Sequence, residues 1–323
     1  MRLLRLLVVL AHAITALLML GVLMNAYVSP AVLPYFNLLS LGFPFLMTAY
    51  AVFTLIWILM GRKRALLSIA FGLLFIQPIR RWVNFTSEQQ PGALKIISFN
   101  GKNAAFGDKQ IQQYLEQQDA DVILMQEPGI DSLQGYHVKR ESVVSIASKY
   151  KIIHYELMVT GGDNSQAQYA DIDINGTTIR FFNYYLEPFY FEKEMVKPAD
   201  DPSVNEDKAR KVLSKLLYTF KVHAQQVDAL KALINDSPYP VVVAGDFNAV
   251  PNSYEYYTTG ASLDDAFLKA GRGIGTTFHD YKFPLKIDHI FTSKTIEAKT
   301  YHIDRSVKIS DHFPIIVTFN VSK

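Results

Sequence analysis

The sequence lacks cysteine throughout and lacks acidic residues in its N-terminal part. Without cysteine among the 323 residues, disulfides and thiolate metal sites are excluded. The first 83 residues hold seven of the 32 basic side chains and none of the 30 acidic ones, whereas the remainder holds 25 basic and 30 acidic side chains. The remainder therefore lacks the basic surplus that is typical of a nucleic-acid-binding domain. Two parts that differ this much in charge cannot belong to one soluble domain.

Charged side chains are also absent between Leu6 and Gly61. This run is long enough for two membrane-spanning helices of about 20 residues each. Prolines near its middle divide it, so we expect spans at residues 3–28 and 38–60. Residues 65–82 form a third apolar stretch, which is short for a span and which we expect to cross with local thinning of the bilayer. A cleaved signal peptide is the alternative, but the apolar region is too long for one.

Basic residues flank the predicted spans and set their expected orientation. Arg2 and Arg5 precede the first span, and Arg62, Lys63 and Arg64 follow the second. Such clusters are typical of the cytoplasmic side. Three spans predict an inner-membrane protein with a cytoplasmic N-terminus and an extracytoplasmic, periplasmic C-terminal domain. If the third stretch only lies on the membrane surface, that domain is cytoplasmic instead.

The rest of the chain alternates short apolar strands with helical segments. After the 83-residue anchor, the polar residues 84–93 with Pro91 and Gly92 predict a linker. In residues 94–323, Asn175-Gly176 between alternating runs predicts a β-hairpin, and the apolar spacing over 206–234 predicts a long helix. This order of elements favours a layered α/β sandwich.

Polar side chains follow several of the predicted apolar strands. A turn after a strand is normally polar, so each position alone is weak, but together they predict a cleft. The side chains are carboxylates, amides, a tyrosine and a late histidine, and they suit a hard cation such as Mg²⁺ with phosphoryl chemistry. They are Asn100, Glu127, Tyr185, Asp246, Asn248, Asp311 and His312.

Five short segments carry the polar residues and their neighbours. They are Ser98-Phe99-Asn100, Gln126-Glu127, Gly245-Asp246-Phe247-Asn248, Lys286-Ile287-Asp288-His289 and Ser310-Asp311-His312-Phe313-Pro314. These segments occur in the order and approximate spacing of the endonuclease/exonuclease/phosphatase superfamily, which includes DNase I and the AP endonucleases. The chain resembles this superfamily over residues 94–321, and the resemblance implies a DNase I-like, four-layered α/β (α+β) sandwich of two packed mixed β-sheets flanked by helices.

The resemblance also implies a role for each residue of the site. Glu127 would bind the metal, Mg²⁺ with Mn²⁺ as the alternative, with Asn100 beside it and Asp311 nearby. Asp246 would orient or deprotonate the attacking water, and Asn248 would hold the water or the phosphate. His312 would donate to the phosphoryl oxygens, and Asp288 would fix its tautomer and charge.

Two positions depart from the superfamily pattern. Many members carry histidine where this sequence has Tyr185, and AP endonucleases also have tyrosine there. A phenol can donate to a phosphate but is not a cation near neutral pH. Lys102 stands where AP endonucleases place a second acid, which puts a second metal ligand in doubt.

These observations predict a membrane-anchored, metal-dependent phosphoester hydrolase. The bilayer is the expected partner, and the expected substrate is a phospholipid headgroup or a small phosphorylated metabolite. A membrane-tethered nuclease is the alternative, although the acidic domain disfavours nucleic acid. A catalytically inactive binding protein with the same fold is a further alternative. The aromatic cluster over residues 184–191 either packs against the long helix or contacts an acyl chain.

Overall fold

The computed structural model describes residues 2–61, 63–87, 89–158, 160–191, 193–280 and 284–321. Three short 3₁₀ turns lie at Met24–Ala26, Leu73–Phe75 and Lys102–Ala104. The helices are α1 (Arg2–Leu23), α2 (Tyr35–Leu41), α3 (Phe43–Leu59), α4 (Arg64–Gly72), α5 (Ile76–Arg80), α6 (Asp108–Gln118), α7 (Lys193–Val196), α8 (Pro202–Asn235), α9 (Tyr254–Thr259) and α10 (Ala266–Ala270). The strands are β1 (Val83–Phe85), β2 (Leu94–Asn100), β3 (Val122–Gln126), β4 (His137–Arg140), β5 (Val144–Ser148), β6 (Ile152–Met158), β7 (Gln166–Ile174), β8 (Thr177–Tyr185), β9 (Val241–Asp246), β10 (Asp264–Asp265), β11 (Arg272–Ile274), β12 (Asp288–Thr292), β13 (Ile296–Ile303) and β14 (Ile315–Val321).

Two of the three predicted spans are interrupted. Within the described residues, the helix Arg2–Ala26 is long and apolar enough to cross a membrane, and α2 with α3 forms a second candidate bent by 69°. The bend follows Gly42, where Pro44 in the first turn of α3 has no N–H to continue the preceding helix. The third stretch consists of α4, a 3₁₀ turn and α5, and Pro78 removes a helical hydrogen bond there. Whether these segments cross a bilayer stays a prediction.

The apolar helices lie antiparallel to one another. Tyr50 of α3 donates to the carbonyl of Ser68 at 2.7 Å, and the rings of Phe43 and Phe75 are 6.4 Å apart. The segment from α4 to α5 therefore returns alongside α3. At the end of these helices that lies away from the C-terminal domain, side chains from α1, α3 and α4 line one pocket. Arg62, which belongs to the predicted basic cluster, lies outside the described residues. The basic side chains of this pocket are Arg2, Arg5, Lys63 and Arg64.

The beginning of the predicted linker is attached to the C-terminal domain. β1 pairs antiparallel with β11, which lies in the glycine-containing segment after α10. Asn84 is fully buried, and its amide donates to the carbonyls of Phe267 at 2.8 Å and Leu268 at 3.0 Å. The chain therefore enters the domain as a paired strand rather than as a free linker.

Two six-stranded mixed sheets form the centre of the domain. Their strand orders are β10-β12-β9-β8-β7-β6 and β13-β14-β2-β3-β5-β4, with β2–β3 and β8–β9 parallel. Buried side chains of both sheets, such as Ile96 and Phe181, meet in one apolar layer. α6 covers the outer face of one sheet through Ile111, and α8 covers the other through Val227. Because both sheets have two apolar faces, this helix–sheet–sheet–helix order confirms the predicted four-layered sandwich.

Candidate active site

The site lies where the carboxyl ends of β2, β3, β8 and β9 meet. Asn100 pairs with Gln126 at the ends of β2 and β3, and Tyr185 pairs with Asp246 at the ends of β8 and β9. Parallel strands end at the same edge of a sheet, so each apolar strand delivers its last polar side chain to this edge. β12 runs antiparallel to β9 and places Asp288 directly opposite Asp246.

Asn100 joins the two sheets at the site. Its buried amide nitrogen donates to Glu127 Oε1 at 3.2 Å and to Asp246 Oδ2 at 3.0 Å. Its Oδ1 accepts from the backbone N–H of Lys102 at 2.9 Å, which fixes the orientation of the amide. Asn103 also donates to Glu127 Oε2 at 2.9 Å. Amide donors thus hold the Glu127 and Asp246 carboxylates on either side of one side chain.

Glu127 adopts a backbone conformation that is unusual for a residue other than glycine. Its φ is +43°, in the left-handed region. Its N–H donates to the carbonyl of Val143 at 2.8 Å, and its carbonyl accepts from the N–H of Asn103 at 2.9 Å. These bonds hold the strained conformation that directs the carboxylate into the site.

Asp246, Asp288 and His312 form a buried group. His312 Nδ1 lies 2.9 Å from Asp288 Oδ2, and Nε2 lies 3.7 Å from Asp246 Oδ2. Burial alone would favour the neutral imidazole, but the carboxylates of Asp288 and Asp246 outweigh burial and raise the pKa of His312 to about 10. Burial raises the pKa of Asp246 to about 7, although the nearby His312 opposes this shift. A cationic His312 is therefore available as a donor at neutral pH.

Tyr185 and Asn248 are two further polar residues of the site. Burial and the neighbouring carboxylates of Glu127 and Asp246 raise the pKa of Tyr185 far above that of a free phenol, so its hydroxyl remains a donor. The Asn248 N–H donates to Asp246 Oδ1 at 2.8 Å, and its side chain donates to the carbonyl of Leu186 at 3.0 Å. The second contact ties the segment that follows β8 to the segment that follows β9.

Asp311 forms an ion pair with a lysine side chain. The Lys102 ammonium donates to Asp311 and also lies 3.6 Å from Asp280. The sequence placed Asp311 near the metal and Lys102 where a second acid occurs in AP endonucleases. The structure joins these two residues in an ion pair, which places Lys102 at the edge of the site, and the role of Asp311 at a metal stays a prediction.

The donor set fits a hard divalent cation. Glu127 and Asn100 present only oxygen and amide groups, and oxygen ligands are those that Mg²⁺ and Mn²⁺ prefer. The ligand atoms of Asp246, Asp288 and His312 also lie within 4.8 Å of one another. In that group, however, the Nδ1 of His312 is already engaged by Asp288. Glu127 would therefore supply oxygen ligands to the cation, and Asn100, whose amide nitrogen donates to Glu127, would orient that carboxylate.

A cavity of about 300 Å³ opens between these residues and an apolar wall. Six of the eight predicted residues line it, and Asn100 and Asp288 lie directly behind them. The structure thus brings all eight together, while their individual roles stay predictions. Sequence reasoning missed Asn103, whose position three residues after Asn100 was the available signal. It also missed Phe278, whose ring centroid lies 4.9 Å from that of His312.

The packing of other predicted residues is also clear. His289 points away from the site, donates from Nε2 to the carbonyl of Ala249 at 2.8 Å, and is buried in the core. Phe189 stacks on Phe191 and contacts Phe220 of α8, so the aromatic cluster does pack against the long helix. The same two phenylalanines line the cavity, so packing and substrate contact are compatible.

Comparisons with known proteins cover both parts of the chain. The sequence model described as "Endonuclease/Exonuclease/phosphatase family" matches residues 97–312, and that of a domain of unknown function matches residues 5–82. No curated protein matches the chain.

Solved structures with this fold are numerous. TDP2 from D. rerio complexed with a single-strand DNA product has a TM-score of 0.52 at 17% identity, over 71% of this chain and 99% of that one. A 3'-5' exonuclease from Neisseria meningitidis has a TM-score of 0.51 at 18% identity, over 70% of this chain and 100% of that one. An endonuclease/exonuclease/phosphatase family protein from Bacteroides thetaiotaomicron has a TM-score of 0.50 at 18% identity, over 72% and 96%. At these identities the likeness extends to the fold alone.

Proposed function

Because the chain belongs to the endonuclease/exonuclease/phosphatase family, a family of metal-dependent phosphoester hydrolases, we propose that it is a membrane-anchored hydrolase of a phospholipid headgroup or a small phosphorylated metabolite. The observation that carries this proposal is the pairing of His312 with Asp288 and Asp246 in one cavity with Glu127. This arrangement places an acid, a base and an oxygen ligand within reach of one phosphate group.

Each side chain has a role that its contacts support. Asp246 orients the attacking water and accepts its proton, and Asn248 holds the water or a phosphate oxygen. His312 donates from Nε2 to the phosphoryl oxygens, while Asp288 keeps the ring charged and correctly oriented. Tyr185 donates a second hydrogen bond to the phosphoryl oxygens. Glu127, oriented by Asn100, would hold a Mg²⁺ or Mn²⁺ ion, which supplies charge neutralisation at a phosphate oxygen when bound. Lys102, paired with Asp311, adds positive charge at the same edge.

The membrane location is supported by how the apolar helices are arranged. Four basic side chains, Arg2, Arg5, Lys63 and Arg64, gather at one end of the antiparallel helices. The catalytic domain packs against the other end, where Arg80 and Arg81 contact it. Under the positive-inside bias, the basic end lies in the cytoplasm and the domain lies on the opposite, periplasmic side. A reporter that is active only outside the cytoplasm, fused after the final strand, should be active. An inactive fusion, with activity of a second reporter that works only in the cytoplasm, would contradict this orientation.

A membrane-tethered nuclease is the second candidate. The TDP2 structure contains a DNA product and another neighbour is a 3'-5' exonuclease, which favours this possibility. Against it, the 240 residues after the anchor carry more acidic than basic side chains, so binding to DNA gains little from counterion release.

The test uses the full-length protein in nanodiscs. Its substrates are bis-nitrophenyl phosphate, nitrophenyl phosphate, plasmid DNA and phospholipid vesicles, each with Mg²⁺, Mn²⁺ or EDTA. Metal-dependent hydrolysis that is lost in Asp246→Ala/His312→Ala, but kept in a variant of the exposed His154 (His154→Ala), supports the proposal. Preference for plasmid DNA selects the nuclease. No hydrolysis of any substrate would overturn the proposal and favour an inactive binding protein.

A further inference from the structure

The catalytic cavity has two chemically different walls. One wall carries the charged and polar groups, among them Lys102, Asn248 and His312. The second wall is apolar and includes the stacked rings of Phe189 and Phe191, Leu216 of α8 and Leu285. A phosphate group can bind to the polar wall. A small hydrophilic metabolite, however, would leave the apolar wall without a contact.

The N-terminal helices contribute to this apolar wall. Leu41, the last residue of α2, lines the cavity together with residues of the catalytic domain. It packs in the same apolar cluster as Phe43, Leu285 and Ile287. The wall of the cavity is therefore continuous with the surface on which the domain meets the helices.

The position of Leu41 indicates where the cavity lies relative to the surface of a bilayer. Leu41 is separated from α3 by Gly42 alone, and α3 is the apolar helix that would enter the hydrocarbon. The cavity thus lies where the helices leave the membrane, within reach of a lipid that remains in the bilayer. A bilayer contains amphipathic phosphoesters at this height, with the phosphate at the surface and hydrocarbon below.

We propose that this wall, closed by Leu41 of the N-terminal helices, is a subsite for the hydrocarbon chain of a membrane phosphoester. The inference rests on the proposed function and narrows its substrate to an amphipathic lipid rather than a soluble metabolite. The cavity volume of about 300 Å³ accommodates the phosphate and the first part of one chain. The remainder of the chain stays in the bilayer. Contact with Leu41, Phe189 and Phe191 releases water from the apolar surfaces and strengthens binding.

The test is the binding of water-soluble n-alkyl phosphonates, which resist hydrolysis and do not form micelles at short chain length. Ethyl, butyl and hexyl phosphonates are titrated calorimetrically into the full-length protein in phosphatidylcholine nanodiscs with Mg²⁺. The affinity of the wild-type protein is expected to rise by up to about fourfold for each methylene that contacts the wall.

Two variants and one control localise the effect. In Leu41→Asn the affinity is reduced by a factor that grows with chain length, and Phe189→Ser/Phe191→Ser gives the same pattern. Leu33→Asn is the control, because Leu33 is partly exposed in the preceding turn and does not line the cavity. Its affinities follow those of the wild type at every chain length.

Hydrolysis of bis-nitrophenyl phosphate, measured on the same samples, separates this inference from the proposed function. Hydrolysis without any dependence of phosphonate affinity on chain length overturns the subsite alone. Equal chain-length dependence in Leu41→Asn and Leu33→Asn overturns it as well. Chain-length dependence that Leu41→Asn weakens, in a protein that hydrolyses nothing, supports the subsite and overturns the hydrolase.

Discussion

Asp288 controls the charge of the histidine in the candidate site. Its Oδ2 lies 2.9 Å from His312 Nδ1, and together with Asp246 it raises the histidine pKa against the effect of burial. An amide at position 288 keeps the shape but removes the charge that stabilises the imidazolium.

We therefore expect Asp288→Asn to lower kcat on the order of 10² or more without unfolding the protein. The His312 pKa, followed by NMR, falls in the same variant. Asp236→Asn, at the exposed end of α8, serves as the control and keeps wild-type kcat. An Asp288→Asn variant with kcat within a few-fold of wild type would show that the pair is not catalytic.

Lys286 is a charged side chain in an unfavourable environment. It is almost completely buried, donates to the carbonyl of Arg81 at 3.0 Å and has its ammonium 3.7 Å from the ring centroid of Phe267. Burial lowers its pKa from 10.5 to about 8, with Arg81 adding to the effect and Asp265 opposing it. Between pH 8 and 10.5 the unfolded chain therefore binds more protons at this site than the folded chain.

The sign of the pH dependence follows from this difference. Stability of the wild type should rise with pH across the window from about 8 to 10.5, by up to about 3 kcal/mol from this group. Lys286→Met removes this contribution, so the difference in Tm between wild type and variant should change in favour of the wild type as pH increases. Lys269→Met, at an exposed lysine, provides the control. Parallel Tm profiles for wild type and Lys286→Met would contradict the prediction.

At the scale of elements, the central strands were predictable and the edge strands were not. Val241–Asp246 is apolar because it is buried on both faces, and the polar ends of such strands mark the site. In the two six-stranded sheets, the strands that the sequence did not predict are β4, β6, β10 and β13, and all four lie at sheet edges. β4 and β6 are largely exposed and β10 has only two residues, so these strands lack a strong apolar pattern. β1 was assigned to the linker because its pairing depends on β11, far away in the sequence.

The contacts between α2 and the catalytic domain could not be predicted from the local sequence either. Asn37 is buried and donates to Glu255 Oε1 at 2.8 Å and Oε2 at 2.7 Å. Burial disfavours the Glu255 carboxylate, but His223 and Asn37 stabilise it and keep its pKa below the usual value. His223 in turn contacts the carbonyl of Glu187, in the segment that follows Tyr185. A buried polar chain thus connects α2 with the segment beside the cavity.

Removing the amide should therefore destabilise the docked arrangement. Asn37→Ala leaves a buried carboxylate with fewer partners, and we expect a loss of about 2–4 kcal/mol in stability. Denaturation of the full-length protein in detergent measures it. Adding Glu255→Gln to Asn37→Ala should recover part of the loss, because an unpaired amide is less costly to bury than an unpaired charge. Equal stability of Asn37→Ala and wild type would mean that this contact does not hold the helices to the domain.

At the scale of the whole molecule, composition divides the chain at residue 83. In the folded protein, however, the two parts are in extensive contact. Arg81 donates to Asn252 Oδ1 at 2.8 Å, and its guanidinium lies 4.5 Å from the ring centroid of Tyr257. Trp82 shares an apolar cluster with Val250 and Ile287 of the catalytic domain. Composition detects which residues suit a membrane, but docking depends on side chains that meet only in the folded chain.

The fragment 84–323 should accordingly be less stable than the full-length protein, although its two six-stranded sheets are complete. Its isolation exposes Val250, Ile287 and the Glu255 carboxylate, which are buried against the N-terminal part, and it removes Leu41 from the cavity. We expect self-association in size-exclusion chromatography, a lower Tm and reduced kcat/KM on bis-nitrophenyl phosphate. A fragment that begins at residue 76 keeps α5 with Arg81 and Trp82, so its Tm should be intermediate. If the fragment 84–323 is monomeric, with the Tm and activity of the full-length protein, the helices serve as a tether and do not contribute to the folded catalytic domain.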